Sequence, residues 1–134
     1  MLSTKTDVAL LALIDPDNRI LISRRLLNKP MGGLWEFPGG KIENEEMPED
    51  ALIREAKEEL SINISKSCIA PLAFSTATYG SKNFLLLLYV CRVWEGNIEI
   101  KEVEEIKWVE KKDLRKYVMP KGNDSLVAMI IDYL

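Results

Sequence analysis

The chain contains no histidine, which removes both the commonest proton shuttle at neutral pH and the commonest nitrogen ligand for zinc. Cysteine is scarce: Cys68 and Cys91 lie in apolar surroundings without a CxxC spacing, so they read as reduced core residues and not as a disulfide framework. No apolar run approaches the ~18 residues of a membrane span, and the amino terminus lacks a basic segment leading into an apolar signal core. The cytoplasm is therefore the expected location, with no membrane partner. Positive charge is also short, 18 Lys and Arg against 21 Asp and Glu for a net charge of -3, which argues against a broad basic face for nucleic acid polymers. Catalysis by this chain must rest on carboxylates, lysine, tyrosine or hydroxyls, and a small anionic substrate would be reached through a metal.

What remains is ordinary globular composition. With 134 residues, 47% hydrophobic and 29% charged, the chain suits one domain over 1–134 with a sizeable core. Residues 6–14 (TDVALLALI) form an apolar run of strand length, the turn chemistry of DPDN follows, and RILISRR completes an expected hairpin. NKPMGG at 28–33 reads as a flexible loop, and the Pro38-Gly39-Gly40 corner after Trp35 and Phe37 also reads as loop. Pro48, acidic Glu49 and Asp50, and Leu52, Ala56 and Leu60 at four-residue spacing predict a helix over 48–60. FLLLLYVCRV at 84–93 predicts a central strand buried on both faces, and EIKWV at 105–109 a further strand. Short helical stretches are expected at 111–117 and from Asn123 onward. This order of elements predicts a mixed sheet with helices on its faces.

The predicted helix carries Glu55, Glu58 and Glu59 on one face. A solvated acidic flank is the ordinary reading of such a cluster, yet here it fits poorly. Like charges at these spacings cost ~0.2–0.5 kcal/mol each and oppose the dipole at the helix end. By helical angle, Glu55 and Glu59 also flank core-facing Leu52. A cation would relieve these penalties together, and without histidine or clustered thiols it would be an oxygen-seeking one, magnesium, manganese or calcium. The Pro38-Gly39-Gly40 corner allows backbone groups to approach that edge without side-chain obstruction.

The segment 40–62, GKIENEEMPEDALIREAKEELSI, resembles the signature box of the Nudix hydrolases, with Gly40, Glu46, Arg54, Glu55, Ala56, Glu58, Glu59 and Ile62 at the box positions. Only Ser61 departs, standing where the box closes on glycine. If the helix ends there in a left-handed residue, the loss costs ~1 kcal/mol of cap stability and no ligand. The order ILISRR, MGGLWEFPGGK, acidic helix, long apolar strand and MPKGND is similar to the MutT-like branch over nearly the whole chain.

The resemblance implies an α/β/α sandwich with a mixed β-sheet and a magnesium-dependent enzyme, with manganese as a substitute. It puts the metal ligands at the Gly39 carbonyl, Glu55, Glu58 and Glu59, with Glu102 as a further loop ligand or general base. Glu104 and Glu105 are close enough to compete for that last role. Arg54 would orient the acidic cluster, and Glu58 or Glu102 would take the proton of an attacking water. Arg25 and Lys41 match phosphate contacts, and Glu36, Phe37, Pro38 and Gly39 the nucleoside-binding segment. Trp35 and Phe37 are in the first place core candidates.

The implied reaction is hydrolysis of a nucleoside triphosphate to monophosphate and pyrophosphate, in the MutT branch sanitising 8-oxo-dGTP before it reaches DNA. A small-molecule nucleotide is then the only partner required, and a monomer suffices. Asn123 aligns with the asparagine that reads the oxidised purine, although asparagine at that position would equally serve as a helix N-cap. The alternatives are a Nudix hydrolase of a dinucleoside polyphosphate, a sugar nucleotide or a normal nucleoside triphosphate, and a noncatalytic nucleotide-binding regulator.

Overall fold

The computed structural model of the protein describes residues 5–134. Seven strands and two helices follow one another as β1 (Lys5–Leu13), β2 (Arg19–Arg25), β3 (Trp35–Glu36), β4 (Gly39–Lys41), α1 (Pro48–Leu60), β5 (Ile69–Tyr79), β6 (Lys82–Cys91), β7 (Val103–Glu110) and α2 (Asp124–Tyr133). Short 3₁₀ turns lie at Lys66–Cys68, Lys111–Lys116 and Lys121–Asn123. The helix forms over 48–60 as the periodicity predicts, the strand expected at 105–109 lies within β7, and the one expected at 84–93 forms as β6, begun two residues earlier and ended at Cys91.

The strands form a four-stranded sheet of order β4-β1-β6-β5 and a three-stranded sheet of order β3-β2-β7. The larger sheet is mixed, because β1 runs parallel to β6 and antiparallel to β4. Alternate residues of β1 serve opposite layers: Ala9, Leu11 and Leu13 pack with Ala51, Leu52, Ala56 and Leu60 of α1. Leu10, Ala12 and Ile14 pack with Leu126, Val127 and Ile130 of α2. Period-2 alternation in one central strand thus divides the core between two helices, giving the expected α/β/α layering.

The expected hairpin over 6–25 does not form. Its turn is real, since the Asp15 carboxylate accepts the Asp17 and Arg19 amides at 3.0 and 2.7 Å. Beyond a single bridge between Ile14 and Ile20 the strands part. The cause is competition for edges: β4 and β6 occupy both edges of β1, while β3 and β7 occupy both edges of β2. The Pro-Gly-Gly corner is likewise no simple loop. Its glycines enter β4, with Gly39 opposite Leu10 and Gly40 opposite Ala9.

Candidate active site

Helix α1 presents the acidic residues. Pro48 opens it, and the Asp50 carboxylate accepts the Met47 amide at 3.2 Å, which satisfies one donor that the helix leaves open. Ser61 ends it in the left-handed region, φ 61° and ψ 28°, and the Ile62 amide reaches back to the Ala56 carbonyl at 3.4 Å. With Ala51, Leu52, Ala56 and Leu60 buried, the acidic residues sit on the shoulder of the buried face. The Glu55 side chain is 16% exposed and that of Glu58 60%. Glu59 is half-buried, and burial pushes its carboxyl well above the ordinary carboxylate range, with Glu55 and Glu36 adding repulsion.

Strand β4 brings backbone under these carboxylates. An alanine Cβ built at Gly40 would lie 2.7 Å from Glu55 Oε1, so the missing side chain is the seat of that carboxylate. Gly39 lies flat on β1 at φ 145°, where a Cβ would meet the Ala9 carbonyl at 2.1 Å. The Pro38 carbonyl accepts the Leu11 amide at 2.8 Å and the Ile42 amide donates to Asp7 at 2.9 Å. By antiparallel alternation, the polar groups of Gly39 and Lys41 then point off the outer edge of β4. The Lys41 carbonyl accepts Arg54 Nη2 at 3.0 Å, and the Gly39 amide faces Glu59.

Arg54 organises the cluster. Its Nε and Nη2 meet the two oxygens of Glu46 at 2.9 Å each, a bidentate pair. Its Nη1 meets Glu55 Oε1 at 2.7 Å and lies 3.6 Å from Glu58. The guanidinium holds the Glu46 carboxyl down at about 2, helped by the Glu43 amide. Among the described residues these carboxylates do not close into a cage of three or more ligands. They form an open edge.

The loop before β7 is tied to the end of α1, because the Glu99 and Lys101 amides donate to the Leu60 and Glu59 carbonyls, both at 3.0 Å. This brings Glu102, exposed and at φ 59°, beside the acidic end of the helix. Its two competitors are engaged elsewhere: Glu104 accepts the Leu27 amide at 3.2 Å, and Glu105 faces Arg24 at 3.6 Å. Arg25 donates to the Pro30 carbonyl at 2.6 Å and lies 3.4 Å from Glu36. Burial raises the Glu36 carboxyl, partly offset by Arg25. Glu36 therefore belongs to the acidic neighbourhood of Glu59. Lys41 is exposed at the end of β4.

Two expectations change. The Phe37 ring, 1% exposed in the core with Leu10, Ile20 and Ile22, cannot stack on a nucleoside. Pro38 is also buried and its carbonyl is committed to β1. Asn123 occupies the N-cap position of α2 but makes no side-chain cap. Its backbone is helical, φ -84° and ψ -11°, whereas a capping side chain needs the extended region to reach the first-turn amides. Asn123 is 4% exposed, and its only side-chain hydrogen bond among the described residues is Nδ2 to Met119 Sδ at 4.0 Å.

Gly122 lies against β6 and against β5, the strand that was not apparent from sequence. Gly122 touches Leu86, Ala77 and Tyr79. Since Val8 pairs with Lys41 on one edge of β1 and Leu86 on the other, Gly122, which precedes Asn123, and the acidic edge stand at the same level of the sheet.

This α/β/α layering, with an arginine-organised acidic helix over a glycine strand, is the architecture of the Nudix class of hydrolases. A family profile described as the NUDIX domain matches residues 4–130, and the chain belongs to that family as a Nudix pyrophosphohydrolase. It is 30% identical over 127 residues to an 8-oxo-dGTP diphosphatase of Escherichia coli, covering 94% of this chain and 96% of that one. It is 33% identical over 98 residues to the 8-oxo-dGTP diphosphatase of Proteus vulgaris, covering 73% of this chain and 86% of that one. A structure described as MutT from Aliivibrio salmonicida and Vibrio cholerae superposes with a TM-score of 0.80 at 28% identity, covering 98% of this chain and 100% of that one.

Proposed function

We propose that the protein hydrolyses 8-oxo-dGTP to the monophosphate and pyrophosphate, keeping an oxidised precursor out of DNA in the cytoplasm. The observation that carries the catalytic part is Glu55 seated on Gly40 and wired through Arg54 to Glu46 and Glu58. The donor set fits magnesium: it is all oxygen, open on one side, and leaves room for water and substrate oxygens. Glu55, Glu58, Glu59, Glu102 and the Gly39 carbonyl would hold the metal, which when bound supplies charge for the phosphoryl oxygens and lowers the pKa of a coordinated water. Arg25 and Lys41 offset negative charge on the phosphates. Glu102, whose neighbours Glu104 and Glu105 are engaged, accepts the proton of the attacking water.

Selectivity for the oxidised base rests on Asn123. A carboxamide can donate to the purine O6 and accept from N7–H, a hydrogen that ordinary guanine lacks. Against dGTP the same amide faces a mismatched pair worth ~1–3 kcal/mol. The absence of a cap bond and the burial of Asn123 support this reading. A nucleotide panel with magnesium, including CTP and dinucleoside polyphosphates, followed by product identification, tests the assignment. The expected result is preferential cleavage of 8-oxo-dGTP, narrowed about tenfold against dGTP by Asn123→Ala. Preference for another nucleotide would overturn the substrate and leave the hydrolase class standing.

A further inference from the structure

One face of β5 carries Ser75, Ala77 and Tyr79, hydroxyl, methyl and phenol at two-residue spacing. All three meet a single residue. The Gly122 amide donates to the Tyr79 hydroxyl at 3.1 Å, and Ser75 Oγ donates to the Gly122 carbonyl at 3.0 Å. Between them, a Cβ on Gly122 would stand 2.6 Å from the Ala77 Cβ and 3.2 Å from both Leu86 Cδ1 and the Tyr79 hydroxyl. Ser125 Oγ extends the chain by donating to Ser75 Oγ at 2.9 Å. Side chains of β5 thus complete both backbone groups of Gly122, as a neighbouring strand would, and only glycine admits that approach.

We infer that this clasp is a specificity device, in which Tyr79 and Ser75 are positioning residues that set the Asn123 carboxamide for reading the base. The inference rests on the base-reading role of Asn123 proposed above. Among the described residues the Asn123 side chain makes a single hydrogen bond, the weak 4.0 Å approach of Nδ2 to Met119 Sδ. Its orientation therefore depends on the backbone that precedes it. That backbone is fixed at Gly122 from both sides, while Tyr79 is itself anchored by the two-residue turn Gly80-Ser81, where Gly80 adopts φ 62°. Tyr79 also packs on Phe84, with ring centroids 5.7 Å apart, so loss of the hydroxyl alone leaves the ring in place.

Tyr79→Phe removes one hydrogen bond and keeps the packing. It should narrow the 8-oxo-dGTP over dGTP preference by about three- to tenfold, the range one neutral hydrogen bond spans, through KM for the oxidised nucleotide more than through kcat. Ser75→Ala should act in the same direction, and Ser75→Thr, which keeps the hydroxyl, should restore the preference. The deciding measurement is the double-mutant cycle: in an Asn123→Ala background Tyr79→Phe should leave the preference ratio where Asn123→Ala has set it. Equal narrowing in both backgrounds would overturn the coupling, as would a Tyr79→Phe enzyme with the full wild-type preference while Asn123→Ala narrows it. If Asn123→Ala itself leaves the preference unchanged, the base-reading role has failed first and the clasp has no specificity to set.

Discussion

Gly40→Ala separates the chemistry of the acidic edge from the stability of the fold. Gly40 is not among the residues with positive φ, so alanine meets no backbone penalty there, and a shorter list of unfolded conformations even favours it by about 0.4–1 kcal/mol. The new methyl would stand 2.7 Å from Glu55 Oε1 and 2.8 Å from its carboxyl carbon. Ordinary contact begins near 3.4 Å, so the carboxylate must retreat by about 0.7 Å. It can do so cheaply, because it terminates a flexible side chain. In retreating it spoils the 2.7 Å bond to Arg54 and its own alignment on substrate. A misplacement of about 1 Å costs on the order of 10²-fold in rate, so kcat/KM should fall by about that factor while urea denaturation shifts stability by less than about 1 kcal/mol. Gly39→Ala is the control of opposite kind. There the methyl would meet the main-chain carbonyl of Ala9 at 2.1 Å with φ at 145°, nothing flexible can yield, and stability should fall by several kcal/mol. A Gly40→Ala enzyme within about threefold of wild type would refute the reasoning, since such an effect is far below the misplacement cost. So would an activity loss fully accounted for by unfolding.

The remaining expectations concern the carboxyl end of α1. The Glu59 carboxyl is raised to about 9 by burial, then by Glu55 and Glu36, so the metal-free fold holds a proton there that the unfolded chain releases above its ordinary value. Its stabilising contribution is complete below the ordinary carboxylate range and is lost as pH rises toward about 9. Magnesium binding at neutral pH should accordingly release a proton, read by calorimetry in buffers of different ionisation heat, and bind more tightly as pH rises. Glu59→Gln should abolish most turnover and flatten the pH slope of stability; an unchanged slope, or binding without proton release, would contradict the buried carboxylic acid. Ser61→Gly should stabilise the protein by about 0.5–1 kcal/mol in urea denaturation, because glycine adopts φ 61° without cost. A neutral or destabilising result would mean that the Ser61 Oγ contact to the Glu99 carbonyl at 3.5 Å is stronger than its length implies.

What could be read from sequence was what local rules control. The acidic helix kept its predicted bounds because Pro48, the Asp50 cap and the three- and four-residue spacings act within one element. Strand β6 was legible because a strand at the centre of a sheet must be apolar on both faces. The left-handed end at Ser61 followed from the box position alone. Pairing was not legible. The turn at Asp15 behaves as its chemistry requires, yet whether β1 and β2 pair depends on which strands claim their edges, and those come from distant parts of the chain. Strand β5 left no clear signal at all: IAPLAFSTATY sits at a sheet edge, half wet, with Pro71 beside a bulge, so neither alternation nor β-propensity stands out.

Missing β5 mattered most at Asn123. From sequence, its helix-capping and base-reading roles had equal claim, because both ask for an amide just before an apolar helix. The difference lies in the backbone. The 3₁₀ turn Lys121–Asn123 carries Asn123 into helical φ and ψ before α2 begins, which withdraws its side chain from capping. The turn is held in turn by Gly122 against Ser75, Ala77 and Tyr79 of β5. A residue's chemistry is visible in its letter, but whether that chemistry is already spent on the fold depends on tertiary contacts. At Asn123 they leave the carboxamide with one weak hydrogen bond among the described residues, Nδ2 to Met119 Sδ at 4.0 Å, and a buried amide so lightly engaged is the state that the proposed base recognition requires.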